Sequence, residues 1–335
     1  MKSYKEIIEE ISNNTDISLE IVYDYVNSPM YDVFNSFFEF YYEALVRQKD
    51  FGIEPSLLFF NNYRSINASA CLYNGYYIIQ FNAGIIYYLV KKFKENHTLL
   101  IDTDNNEFIE FEKVLDVPIN ELMYQNASHF TFYHELAHLV QKSELLRDAL
   151  YEIPSINRGY SQHSHLLELD ADKFSSICIG THVFQYLKGQ FGKNLTKEQL
   201  EKTLILICSS ALFYILSFNS NKLEIYYKEN SHPQPVIRIS YFVFHIVSYV
   251  KQSIDNSGFE VELNKKEIIK KCIQFSNKIS LKKFNNRHIE DYVTILTEEG
   301  RNISNYIKEF ELIQNQDESL ASNKWNKRAA ILKGK

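Results

Sequence analysis

His134-Glu135-Leu136-Ala137-His138 constrains this chain more than any other stretch. On a helix, histidines spaced i to i+4 leave the same face, so both rings can share one metal ion. On that helix Glu135 is turned by about 100° from His134, towards the side a substrate would occupy. A glutamate there is the base that a hydrolytic metal site needs and a structural one does not. Thr131, Phe132, Leu136, Ala137, Leu139 and Val140 surround the histidines with uncharged side chains, so the helix is expected to be buried.

A catalytic zinc takes three protein ligands and keeps a fourth position open, so one more ligand must come from another segment. Glu168-Leu169-Asp170-Ala171-Asp172 offers two carboxylates one helical turn apart, Glu168 and Asp172. One can bind metal while the other accepts the ring N–H of a ligating histidine. His163 and His165 lie just ahead. His165 shares the face of Glu168 and is its rival as third ligand, with the glutamate preferred because its pattern also supplies the supporting carboxylate. His129, five residues before His134, falls off the ligand face and reads as structural. In Ser231-His232-Pro233-Gln234-Pro235-Val236-Ile237-Arg238 a histidine precedes a proline able to open a helix, and an arginine follows six residues after the histidine. Near a metal, His232 could hydrogen-bond an oxyanion, with Arg238 orienting it or holding substrate backbone. The same His-Pro pair also reads as a plain helix entrance.

Taken in order, His134, Glu135 and His138 (HExxH), then Glu168, Ala171 and Asp172 (ExxAD), then His232, Pro233 and Arg238 resemble the gluzincin zinc metallopeptidases. The likeness spans roughly residues 65 to 250. It is nearer to the soluble Lit-type peptidases of phage exclusion than to the HtpX-like and CAAX-prenyl-protease group, which spans membranes. The resemblance implies a zincin-like core and zinc as cofactor, with Glu168 as third zinc ligand and Asp172 as the carboxylate behind the ligands. It makes His232 and Arg238 the transition-state partners. A protein or peptide is the implied substrate, and cleavage of a host protein in phage defence is the implied setting. Two other readings are a sensor or binding protein that keeps the metal as a fold staple, and a membrane-associated processing protease.

A net charge of −6 over 335 residues, 45% of them hydrophobic, allows a large core and gives no bias towards a nucleic-acid partner. Cys71, Cys178, Cys208 and Cys272 are scattered without CxxC spacing and read as reduced core residues. The first ten residues carry acids and lack the apolar core of a signal peptide, so cytoplasmic residence is the expectation. The apolar stretch from Thr203 to Phe218 would be about 24 Å long as a helix, short of the roughly 30 Å hydrocarbon core. Ser209, Ser210 and Ser217 interrupt it, so it reads as a helix buried behind the metal helix rather than a membrane span. The basic end, with Lys324, Lys327, Arg328, Lys333 and Lys335, reads as a frayed solvated tail.

Only ten glycines and six prolines favour a mainly α chain with a small β-sheet, an α+β fold with extra helices at both ends of the core. Helices are expected at 4–12, 18–27, 31–48, 83–96, 120–145, 165–190, 197–219, 234–252, 264–278 and 286–313. The aromatic run in the third of these, from Phe34 to Tyr42, reads as core. A hairpin of Ala68–Tyr73 and Tyr76–Phe81 is marked by Asn74-Gly75, the strongest two-residue turn signal. Residues 76–82 read first as an ordinary core strand and second as the border of an edge on which an extended peptide could pair. The division expected is 1–64 as an N-terminal helical region, 65–254 as the zincin-like core, and 255–335 as a helical appendage with a basic tail.

Overall fold

The computed structural model describes residues 1–96, 107–148, 150–151, 159–216, 225–279 and 288–333. It is mainly helical with a small sheet, the α+β class expected. In chain order the elements are α1 (Tyr4–Asn14), α2 (Tyr31–Val46), β1 (Ser56–Asn61), β2 (Ala68–Tyr73), β3 (Tyr76–Asn82), α3 (Ala83–Leu89), α4 (Glu107–Leu115) and α5 (Ile119–Gln141). They continue with β4 (Leu150–Tyr151), α6 (Gln162–Gln190), α7 (Lys197–Leu216), α8 (Pro235–Asp255), α9 (Lys265–Ile279), α10 (His288–Gln314) and α11 (Ala321–Lys333). The chain forms two compact units: Met1–Leu89 with Thr131–Arg158 and Asp317–Lys335, and Val90–Phe130 with Gly159–Gln316.

The first unit is built on the sheet, in strand order β1-β3-β2-β4. Ser3 opens α1 with a reciprocal cap, its hydroxyl taking the Glu6 N–H while the Glu6 carboxylate takes the Ser3 N–H at 2.6 Å. Tyr4 then ties that helix to β1, its hydroxyl donating to the Tyr23 carbonyl at 2.9 Å and accepting the Phe60 N–H at 3.1 Å. The aromatic face of α2 is core, as expected: Phe34 meets Phe60 edge-on at 5.0 Å, Phe37 meets Phe81 at 5.1 Å, and Tyr41 meets Phe132 of α5 at 4.7 Å. Phe132, in the C-terminal half of α5, is thereby joined to that aromatic cluster.

The hairpin forms as read, β2 and β3 pairing antiparallel from Ala68↔Phe81 to Tyr73↔Tyr76 across Asn74 and Gly75, both at positive φ. The other side of β3 is also taken, since β1 pairs with it in parallel from Ser56↔Tyr77 to Asn61↔Asn82. Residues 76–82 therefore form an interior strand, the ordinary core strand of the first reading and not the border of an edge. Strand β1 itself was not anticipated. Leu57, Leu58, Phe59 and Phe60 are all fully buried, so the run lacks the alternation that marks a half-exposed strand. The helix expected at 18–27 is also corrected: only Leu19–Ile21 make a 3-10 turn, after which Val22 bridges Asn61 and the Tyr23 N–H donates to the Phe60 carbonyl at 2.8 Å. β-Branched Ile21 and Val22 suit that extended path along β1 better than a helix. The expected helix at 83–96 stops at Leu89 and passes into a π-helical turn at Val90–Lys94.

Instead of fraying, the C-terminal end forms α11, because it has an apolar side to bury. Ala321 is buried, Trp325 stacks on Phe51 with ring centroids 6.4 Å apart, and Arg328 pairs with Asp50 at 3.0 Å. Lys335 lies outside the described residues.

The second unit is helical. Helix α4, absent from the sequence reading, packs Phe111 on Phe275 of α9 at 4.8 Å. Among the described residues α7 is the one helix long and apolar enough to cross a membrane, and 89% of its most apolar window is buried in the protein. The Asn126 side chain on α5 donates to the Ile207 carbonyl of α7 at 2.9 Å, so α7 does pack behind α5, the helix that carries His134 and His138. Ser217 and Phe218, the end of the expected stretch, lie outside the described residues, as do 286–287 of the helix that begins here at His288. Helices α6 and α8 approach closely: a Cβ on Gly180 would lie only 2.7 Å from Cδ1 of Tyr249. Pro235 occupies the first turn of α8, behind a Gln234 side chain that accepts the Val236 N–H.

Candidate metal centre

His134, Glu135 and His138 leave the buried part of α5 and are at most 1% exposed. The two Nε2 atoms stand 3.2 Å apart. Two ring nitrogens bound to one tetrahedral zinc at about 2.05 Å would be about 3.3 Å apart, so the pair is spaced as two ligands of one ion. Nδ1 of His138 lies 3.0 Å from Oε1 of Gln141. An amide oxygen only accepts, so it holds the proton on Nδ1 and leaves the Nε2 lone pair available.

Glu168 comes from α6. One ligand atom from each of His134, His138 and Glu168 lies within 4.8 Å of the other two, and all three residues are buried. Among the described residues this is the one group of three or more histidine, cysteine or carboxylate side chains that meets such a distance. Two imidazoles and a carboxylate are a donor set that fits a divalent transition metal.

The rival, His165, is fully buried with both ring nitrogens taken by the fold: Nε2 donates to the Asn230 carbonyl at 2.7 Å and Nδ1 takes the Tyr306 hydroxyl. Burial holds its pKa below the usual 6.5, in keeping with a neutral ring whose two nitrogens serve the fold. His129 is structural as read, stacked on His182 at 4.7 Å, and burial first and that neighbour second bring its pKa down to about 3.

His232 reaches Glu168, with Nε2 3.3 Å from Oε1 of that residue and Nδ1 3.0 Å from the Ser231 hydroxyl. Arg238 and Asp172 are brought to each other. The arginine donates from Nε to Oδ2 and from Nη2 to Oδ1 of Asp172, both at 2.9 Å. That bidentate pair spans α6 and α8. The pair joins the two residues that the sequence analysis places behind the ligands and beside His232.

Two residues near the centre were missed. Gln141 was legible in principle, three residues after His138 on the same helix face. Cys71 on β2 carries a thiol pushed up to about 11, by burial first and by the charge of Glu135 second, which puts β2 within electrostatic reach of that glutamate. No protein-family model, curated protein or solved structure matches the chain.

Proposed function

We propose that this chain is a zinc-dependent endopeptidase with a zincin-like core, acting on a protein or peptide substrate. One observation carries the reading: His134, His138 and Glu168, from two separate helices, converge as a buried ligand set, with Glu135 beside them. A structural metal site needs the ligands alone; a hydrolytic one also needs a base. When bound, zinc would supply Lewis acidity towards a scissile carbonyl and make water a stronger acid. Glu135 then takes the proton of the attacking water and hands it to the departing amine. The Ser231 hydroxyl stands 3.0 Å from Nδ1 of His232; donated to that nitrogen, its proton would leave the ring N–H on Nε2, where it could be offered to an oxyanion. The role of Arg238 runs through Asp172: their ion pair fixes α8 against α6, and so keeps His232 beside Glu168. By their resemblance to Lit-type peptidases, the same motifs extend the proposal to cytoplasmic cleavage of a host protein in phage defence.

Glu135→Gln separates this reading from that of a metal-stapled binding protein. The variant should keep its metal and its fold, because the amide preserves shape, yet lose proteolysis by at least about 10²-fold. The measurement is the appearance of new protein N-termini in a cell extract incubated with wild type or variant, with metal content determined in parallel. New termini at the wild-type rate from Glu135→Gln, or none from the zinc-loaded wild type, would overturn the proposal.

A further inference from the structure

We propose that Gln141 is the positioning residue for His138, fixing which ring nitrogen faces the metal. The inference rests on the reading of His134, His138 and Glu168 as a metal centre and adds a residue to it. Gln141 is 5% exposed and follows His138 by three residues, so the two side chains share a helix face. Its Oε1 stands 3.0 Å from Nδ1 of His138, and Nε2 of the same ring points to Nε2 of His134 at 3.2 Å. A ring free to hold its proton on either nitrogen would present N–H to the ion part of the time. The amide oxygen removes that choice and also stops the ring from swinging. It does so without charge, where a carboxylate would add electron density to the ring and to the metal behind it.

The base of this side chain is itself anchored. Gln141 is the last residue of α5, and Lys142 ends the helix at φ +56°. The terminal carbonyls take the ammonium of Lys324 from α11, 2.7 Å from the Val140 oxygen and 3.5 Å from that of Gln141. Lys142 in turn donates to the Gly52 carbonyl at 2.8 Å. The turn that carries Gln141 is therefore tied both to the C-terminal helix and to the loop ahead of β1.

The test uses the full chain and zinc, titrated against a chromophoric chelator. Gln141→Leu, which keeps the volume and loses the acceptor, should weaken zinc about 10- to 100-fold. Gln141→Glu, which restores an acceptor, should bind at least as tightly as wild type. Gln141→Met serves as a second acceptor-free variant should the leucine variant not fold. A second readout needs no metal: the ring nitrogen shifts of His138 in the metal-free protein should report the Nδ1–H form in wild type and a mixture in the acceptor-free variants. Wild-type zinc affinity without the acceptor, or an unchanged ring tautomer, would overturn the inference. Weak binding by Gln141→Glu and Gln141→Leu alike, with metal-free stability unchanged, would overturn it too. Failure of wild type to bind zinc would overturn the metal reading instead, and the tautomer measurement would still decide the role of Gln141.

Discussion

Arg238 offers both arms of its guanidinium to the two oxygens of Asp172, with side chains only 3% and 0% exposed. Neither charge can turn to water if the other is removed, so breaking the pair should cost far more than the pair contributes over a neutral replacement. Arg238→Met is expected to lower the unfolding free energy by about 3–5 kcal/mol, and adding Asp172→Leu should recover part of that loss. Urea unfolding of the two variants decides it, and a cost under about 1 kcal/mol for Arg238→Met would mean that the aspartate is satisfied without the arginine. The same residues mark what sequence could and could not reveal. The candidate ligands are legible because a metal would restrict both residue type and helical spacing, and HExxH and ExxAD obey both restrictions. The choice between His165 and Glu168 is harder to read: each shares the face, and only the positions of Asn230 and Tyr306, far along the chain, give His165 another task. Arg238 stands out in sequence by its distance from His232, while the carboxylate it pairs with lies 66 residues before it, on another helix.

Among the elements, the hairpin turns most directly on local chemistry. Gly75 sits at φ +82° with nothing within 4 Å of where a Cβ would stand, so a side chain there costs backbone strain and no clash. Gly75→Ala should therefore destabilise the protein by about 1–2 kcal/mol without moving the β2–β3 register. Thermal unfolding and amide exchange along β3 would check this, and a neutral or stabilising alanine would show that the turn is not left-handed at that residue. This hairpin and the long helices are legible because turn residues and helical periods are short-range signals. Strand β1 is not, since an unbroken Leu-Leu-Phe-Phe run fits a buried helix as well as a buried strand until its neighbours are known. The segment after Ser18 has the same ambiguity, resolved by a bridge to Asn61 that no local pattern announces. At the other end, the lysines and arginine of α11 suggest a solvated tail, while Ala321 and Trp325 supply its packing surface.

Over the whole molecule, burial depresses the pKa of His129, His165, His182 and His245, in each case as the largest cause. A histidine that is harder to protonate when folded binds fewer protons than it does unfolded, so stability rises with pH across that interval. The contribution of these rings is full above the unfolded value of 6.5 and is lost as pH falls below it, down to about 3 for His129. Metal-free protein should thus lose stability steadily from about pH 6.5 downwards, and His129→Phe, which keeps a ring against His182, should flatten that slope by about one proton. Urea titrations between about pH 4.5 and 8 test this; an unchanged slope in His129→Phe would mean that the ring is hydrated when folded. The account depends most on the metal centre, and metal analysis of the purified full chain tests it most directly. It predicts about one zinc per chain in wild type and in His165→Ala, with loss in His134→Ala, His138→Ala and Glu168→Ala. Full occupancy in Glu168→Ala, or loss of zinc in His165→Ala while that variant stays folded, would contradict it.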